Sequence, residues 1–370
     1  MTHRFIFKSS IICTILLSLT VIARAENYFL YDPRLDSLKL NMVKEYTSLE
    51  ETSKEPEKVL NLTLKSSQLT ALPIDVCKLS HLQVLNLWNN NLVTLPPEII
   101  ALKELHTIDL SSNPSLDLSA TVGILASLKS LYSLNLWNNN IAAIPGDIAR
   151  LSVLRELNVS SNKIDALPSE IGGLAMLEVL YLSSNRLTLL PPEIAKLKNL
   201  HTLNLWNNQL TTLPSEIGTL TSFRMLDASN NLITSLPPEI GQLKNLTLLN
   251  LTSNRLESLP PEIGNLSNLR ILYIGGNKLT KLPSEIGNLT HLQALSLSSN
   301  PKLAFAEVFS VLSKLPELEK LYLVGNQLKT VPDEIGKLTQ LKILVVSENA
   351  LSSEEQERLK KMLPSCEIKF

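Results

Sequence analysis

The sequence predicts an α/β solenoid of short parallel strands and short helical turns, and three observations carry that prediction. The first is a register of 23 residues, with units opening at Val59, Leu82, Leu105, Leu131, Leu154, Leu177, Leu200, Phe223, Leu246, Leu269, Leu292, Leu318 and Leu341. The step is 23 throughout, except from Leu105 to Leu131 and from Leu292 to Leu318, where it is 26. A sustained period of this length marks stacked units, each unable to bury its apolar face alone. The second is the alternation within a unit. In the one opening at Leu200, leucines at positions one, four and six point inward, while Thr202, Asn204 and Trp206 point outward, the period-two pattern of a strand. The third is an asparagine at position nine, where the chain must leave the strand. Asn208 and its equivalents fill it in twelve of thirteen units, and Ser67 replaces it in the first. Its amide can both donate to and accept from turn backbone groups that a buried bend would leave unpaired.

Taken in order, the chain opens with residues 1–25, where His3, Arg4 and Lys8 precede an apolar run from Ile11 to Ala23 and a small-x-small site at Ala23-Arg24-Ala25. This is the form of a cleavable secretory signal, and the run falls short of the roughly 20 residues a membrane span needs. Its removal leaves 31 basic against 35 acidic residues, a net charge of −4 that argues against a nucleic-acid partner. Residues 26–58 are polar and non-repetitive and read as an N-terminal cap, with a capping pattern Thr47-x-x-Glu50 ahead of a short helix that stops near Pro56. Residues 59–351 are the repeats. In each regular unit a segment such as Leu213-Pro214-Ser215-Glu216-Ile217-Gly218 predicts one helical or 3-10 turn on the convex side, with proline at the first helical position and an acid in the first turn. Both 26-residue units lack this segment. Each starts its extra length with Ser-Ser-Asn-Pro, and Leu118 to Leu128 and Leu303 to Leu315 carry helical spacing, so a fuller helix is expected there. Residues 352–370 read as a C-terminal cap: a helix opened by Ser353-x-x-Gln356, stopped by Pro364, then a closing strand through Cys366, Ile368 and Phe370. No catalytic domain is expected beyond it.

The consensus LxxLxLxxNxLxxLPxEIGxLxx, in register across residues 59–351, resembles the leucine-rich-repeat family. The resemblance implies a horseshoe with a parallel concave sheet. Its LPxEIG variant is similar to repeats of eukaryotic Ras-pathway scaffolds and of secreted proteins abundant in pathogenic spirochaetes. The signal sequence, the LPSCEIKF ending and the EYTSLEETSKEPEKVLNLTL lead-in favour the second. That resemblance implies an exported protein with a role at a host.

Chemistry finds little footing. Cys77 and Cys366 stand near opposite ends, about 50 Å apart at ~4.8 Å per unit, so they cannot bridge. The histidines His81, His106, His201 and His291 are spread over distant units and share no metal, and no cofactor motif occurs. His106, Asp109 and Ser111 lie in one unit but lack the strained nucleophile turn and oxyanion hole of a hydrolase. The acid of each regular turn, Glu216 and nine equivalents, reads as dipole-matched capping on a solvated edge rather than a cation stripe.

The outward positions of the strands say more. Trp88, Trp137 and Trp206 occupy position seven, Tyr181, Tyr273 and Tyr322 position five, and Tyr132 position two, so seven of the ten tyrosines and tryptophans share one face. Arg155, Arg224 and Arg270 at position two add donors. Aromatic and arginine side chains outside a core concentrate binding energy. A second reading, that the tryptophans only pack on neighbouring turns, stands beside it. Position five grades from Asn and Asp in the early units to Tyr273, Ser296, Tyr322 and Val345 in the late ones. Positions five and seven carry no core leucine, so a site would be written there. A long mixed surface suits a protein or glycoprotein ligand better than a small molecule. The two functions to distinguish are an exported protein-binding module and a structural component of a bacterial envelope.

Overall fold

The computed structural model describes residues 44–370. The predicted signal at 1–25 and residues 26–43 of the predicted cap lie outside the described residues. Among the described residues, fifteen strands form one parallel sheet in strict sequence order. The first, β1 (Glu45–Tyr46), precedes the array, strands β2 to β14 come one from each unit, and β15 (Glu367–Lys369) follows it. Each unit's strand is three residues at positions three to five. In the central one, β8 (Thr202–Asn204), Thr202, Leu203 and Asn204 pair with Met225, Leu226 and Asp227 of the next unit. Equivalent residues face each other, so a 23-residue period becomes a stack in constant register.

The inward leucines are covered on both sides by their counterparts: Leu200, Leu203 and Leu205 are fully buried, as are Phe223, Leu226 and Leu246. One continuous core results, running from Tyr46 to Leu363.

On the opposite side ten units carry a five-residue 3-10 helix, Ser215–Thr219 in the central unit. Its proline sits one position earlier than expected. Pro214 is the N-cap residue, in extended backbone, and a proline occupies the first helical turn only where a second one follows, as at Pro238 after Pro237. No side chain caps these turns, and Glu216 instead accepts from the Ser215 hydroxyl at 3.0 Å, exposed to solvent. The following glycine serves the stack: a Cβ on Gly264 would fall 2.2 Å from the Glu285 carbonyl oxygen of the next unit. Neighbouring turns are therefore in backbone contact.

The two long units carry the expected helices, which succeed the short N-terminal helix α1 (Leu49–Thr52): α2 (Leu118–Leu125) and α3 (Phe305–Leu312). Asp117 caps α2 through the Ala120 N–H at 3.0 Å. Both flanking helices begin one residue from the predicted caps. Ser48 caps α1, with its hydroxyl accepting from the Glu51 N–H. Ser352 caps α4 (Ser353–Met362) through the Glu355 N–H. Leu359 of this last helix and Leu363 just after it are buried against the array, and β15 pairs with β14 (Ile343–Val345).

Candidate binding surface

The position-nine asparagines meet the role read from sequence. Asn208 donates through Nδ2 to the carbonyls of Leu182 and Leu205, both at 3.0 Å, and its Oδ1 accepts from the Leu187 N–H at 3.0 Å. Each asparagine thus ties its own turn to the preceding unit. Just before it, position eight is left-handed in all thirteen units, from Ser66 at φ 54° to Glu348 at φ 57°. The run of Asn, Ser and Gly at this position is the signal that sequence reading passed over.

Position five is less free than expected. Asn86, Asn135, Asn158, Asn204 and Asn250 each accept, through Oδ1, the N–H two residues on, at 2.9–3.1 Å. Asp109 and Asp227 do the same for Ser111 and Ser229 and take the hydroxyl as well. These side chains close the strand as an Asx turn does, so the early Asn and Asp row is structural. Tyr181, Tyr273 and Tyr322 stand where other units use that turn.

These turns hold the tryptophans from below. The N–H groups of Trp88, Trp137 and Trp206 are the ones accepted by Asn86, Asn135 and Asn204, and their carbonyls accept from Ser66, Ser112 and Ser184 in the preceding units. The backbone is fixed while the residues remain 38–39% exposed. They are spaced two and three units apart, and no ring contact joins them to one another among the described residues.

The remaining predicted residues fall into two groups. In the early half, a row at position two runs through consecutive units. His106 stacks on Tyr132 with centroids 4.8 Å apart, Arg155 pairs with Glu178 at 3.3 Å, and Glu178 lies 3.5 Å from His201. Ser133 donates to Glu156 at 3.1 Å beside them. Burial and the Glu156 carboxylate push the Tyr181 hydroxyl far above its ordinary pKa, and burial lowers that of His106. His106, Glu156, Glu178 and His201 were not among the predicted residues. The signal that could have found them is complementary chemistry at one position in units 23 or 26 residues apart. His106, Asp109 and Ser111 form no relay, because the Asp109 carboxylate holds the serine and the His106 Nδ1 lies 3.2 Å from the Thr107 hydroxyl.

In the late half, Tyr273 and Tyr322 meet edge to face with centroids 6.3 Å apart, although Ser296 lies on the strand between them. The small serine lets the two rings close over it. Burial raises both hydroxyl pKa values. Arg224 and Arg270 stand exposed along the same half, without an ion-pair partner among the described residues. The surface thus offers fixed aromatic and charged groups and no converging nucleophile. No group of three or more His, Cys, Asp or Glu placed to hold a metal occurs among the described residues, Cys77 and Cys366 are free thiols, and no helix there is long and apolar enough to cross a membrane.

Comparison with known proteins agrees with this architecture. A model of a leucine-rich repeat region matches residues 138–231, 216–324 and 246–367, and a leucine rich repeat model matches residues 57–114. No curated protein matches the chain. Among solved structures, a leucine-rich-repeat protein of Leptospira interrogans is 34% identical over 88% of this chain and 100% of its own, with a TM-score of 0.62. A plant peptide hormone receptor in complex with RGF2 is 27% identical over 78% of this chain and 50% of its own, at a TM-score of 0.58. The TLR13–ssRNA13 complex is 26% identical over 85% of this chain and 46% of that one, at 0.71. This chain spans about half the length of these two receptors. Matched by repeat models over more than half its length, and stacked unit on unit in one parallel sheet, the chain belongs to the leucine-rich-repeat family.

Proposed function

We propose that this protein is an exported protein-binding module that engages a protein or glycoprotein, on a host or a cell surface, through the concave face of its sheet. The observation that carries the reading is the placement of aromatic residues: seven tyrosines and tryptophans share that face, and none belongs to the hydrophobic core. Large, rigid, partly exposed rings on an immobile backbone favour association, because little rotamer freedom is lost when they are covered. The three tyrosines at position five add to this, since they replace a residue the turn would otherwise use. Export rests on the signal pattern at residues 1–25. The host role rests on the likeness of the LPxEIG variant to secreted spirochaete proteins.

Capture of surface and extracellular proteins by the mature chain, beside a Trp137→Ala, Trp206→Ala, Tyr273→Ala variant, tests the assignment. Loss of a captured partner by at least tenfold supports it, and undiminished capture removes it. Fractionation of cells tests the location, and strictly periplasmic recovery would leave the envelope-component reading in its place. A single-stranded RNA arm belongs in the same experiment, given the RNA complex of one similar structure. The excess of acidic over basic residues predicts no binding there.

A further inference from the structure

The two halves of the concave face differ in how their charges are used. In the early half the polar groups named on this face are matched: exposed Arg155 with half-buried Glu178, Glu156 with Ser133, Asp109 with Ser111. In the late half the carboxylates of this face have partners, while three cations make no ion pair among the described residues, although Arg270 is near enough to Glu317 to help lower the pKa of that carboxylate. Glu319 pairs with Lys342 at 2.6 Å and Glu317 with His291 at 2.9 Å, while Asp227 is buried and bonded to Ser229 and Asn250. Arg224, Arg270 and Lys320 are exposed and make no ion pair among the described residues. Glu348, an exposed acid, lies at position eight of the last unit, away from this row.

These three cations stand at every second strand. Arg224 precedes β9 (Met225–Asp227), Arg270 precedes β11 (Ile271–Tyr273), and Lys320 opens β13 (Lys320–Tyr322). At strand spacing they repeat at roughly 10 Å along the solenoid. The Tyr273–Tyr322 pair closes over Ser296 between the last two.

Resting on the concave-face reading, we infer that this half of the surface takes an extended, acidic segment of a protein partner. Its carboxylates meet Arg224, Arg270 and Lys320, and an apolar or aromatic side chain rests on the tyrosine pair. An extended chain advances about 3.3 Å per residue, so acids about three residues apart match the cation spacing. Complementary charge sets both association rate and choice of partner. A densely charged polyanion fits less well, because only three unmatched cations are available and acids line the early half of the same face.

The full mature chain, with fluorescent probes followed by anisotropy, tests this. The probes are a random copolymer of glutamate and tyrosine, polylysine and heparin. The expected result is binding of the glutamate–tyrosine copolymer, weakened at least tenfold in an Arg224→Glu, Arg270→Glu, Lys320→Glu variant and severalfold in Tyr273→Ala, Tyr322→Ala. Raising the salt from 50 to 300 mM weakens it further. Polylysine is not expected to bind. A triple Gln variant at the same cations, which adds no acids, guards against misfolding and should lose binding as well. Equal binding of polylysine, an unaffected triple variant, or heparin bound more tightly than the copolymer overturns the inference. Trp88→Ala, Trp137→Ala separates the two readings. If partner capture falls in that variant while the charge variants are neutral, the concave face binds but not in this way. If all are neutral, both readings fall.

Discussion

Asn208 shows how much of this fold a single side chain holds. Its one amide satisfies two carbonyls and one N–H drawn from two units, all in a buried bend that water does not reach. Replacing it leaves the buried Leu187 N–H without its acceptor, at about 1–3 kcal/mol, and takes one of two bonds from each carbonyl, since Asn185 still donates to Leu182 and Asn231 to Leu205. Asn208→Ala is therefore expected to destabilise the chain by about 2 kcal/mol, read as a lower denaturant midpoint. Trp206→Ala, two residues away and outside the core, should shift it by less than half as much. Equal shifts for the two would mean that the tryptophan is structural. This residue was legible in the sequence because it has one polar answer to one backbone problem. Asn204 was not. Alternation places it on the outer face, and the period of two says nothing of the Asx turn that ties it to the Trp206 N–H. The left-handed position eight was missed for a similar reason: Asn, Ser and Gly there read as polar filler until the dihedrals show one conformation in every unit.

At the scale of elements the spacing rules were sufficient for the repeats and one residue off at the helix starts. The C-terminal helix begins after Ser352 rather than Ser353 because two hydroxyls stand side by side, and docking against the array chooses between them. What docks it is Glu355. Its carboxylate, buried at 7% exposure, accepts the Val331 N–H at 2.7 Å and two bonds from Arg358, which also reaches Asp333. The Arg358 guanidinium is the main cause that holds the Glu355 pKa below its ordinary 4.5, with the Val331 N–H adding to it. A lowered folded-state pKa means the stabilisation is complete above about pH 4.5 and fades as pH falls through the lowered value. Hydrogen exchange, corrected for intrinsic rates, should therefore show the Val331 amide losing protection in acid before the Leu210 amide, which bonds to the uncharged Asn231. Glu355→Gln should cost the cap about 2 kcal/mol at neutral pH and remove that acid dependence. Matched acid loss at the two amides would show that the pair does not anchor the helix.

For the whole molecule, repetition separates what folds from what binds. The period, the leucines and the asparagines were enough to read the solenoid from the sequence, since each unit contacts its neighbours in one register. The candidate surface was legible only as a face. Which residues on it join one another depends on the three-dimensional row at position two and on Ser296 letting two tyrosines meet, neither of which a linear pattern encodes. This separation can be tested by excising residues 223–245, one whole regular unit. The cut brings Leu205 beside Asn250 as it now stands beside Asp227, and Gly218 beside Glu262 as it now stands beside Glu239, so strand register and turn contacts are both restored. The shortened chain should keep its circular-dichroism spectrum per residue and unfold cooperatively, with a modestly lower midpoint. The same cut removes Arg224 and brings Trp206 closer to Tyr273 by one strand spacing, roughly 5 Å. Binding of a partner that spans both halves of the concave face should fall at least tenfold while folding persists. Retained partner binding in the 23-residue deletion would confine the site to one half of the surface.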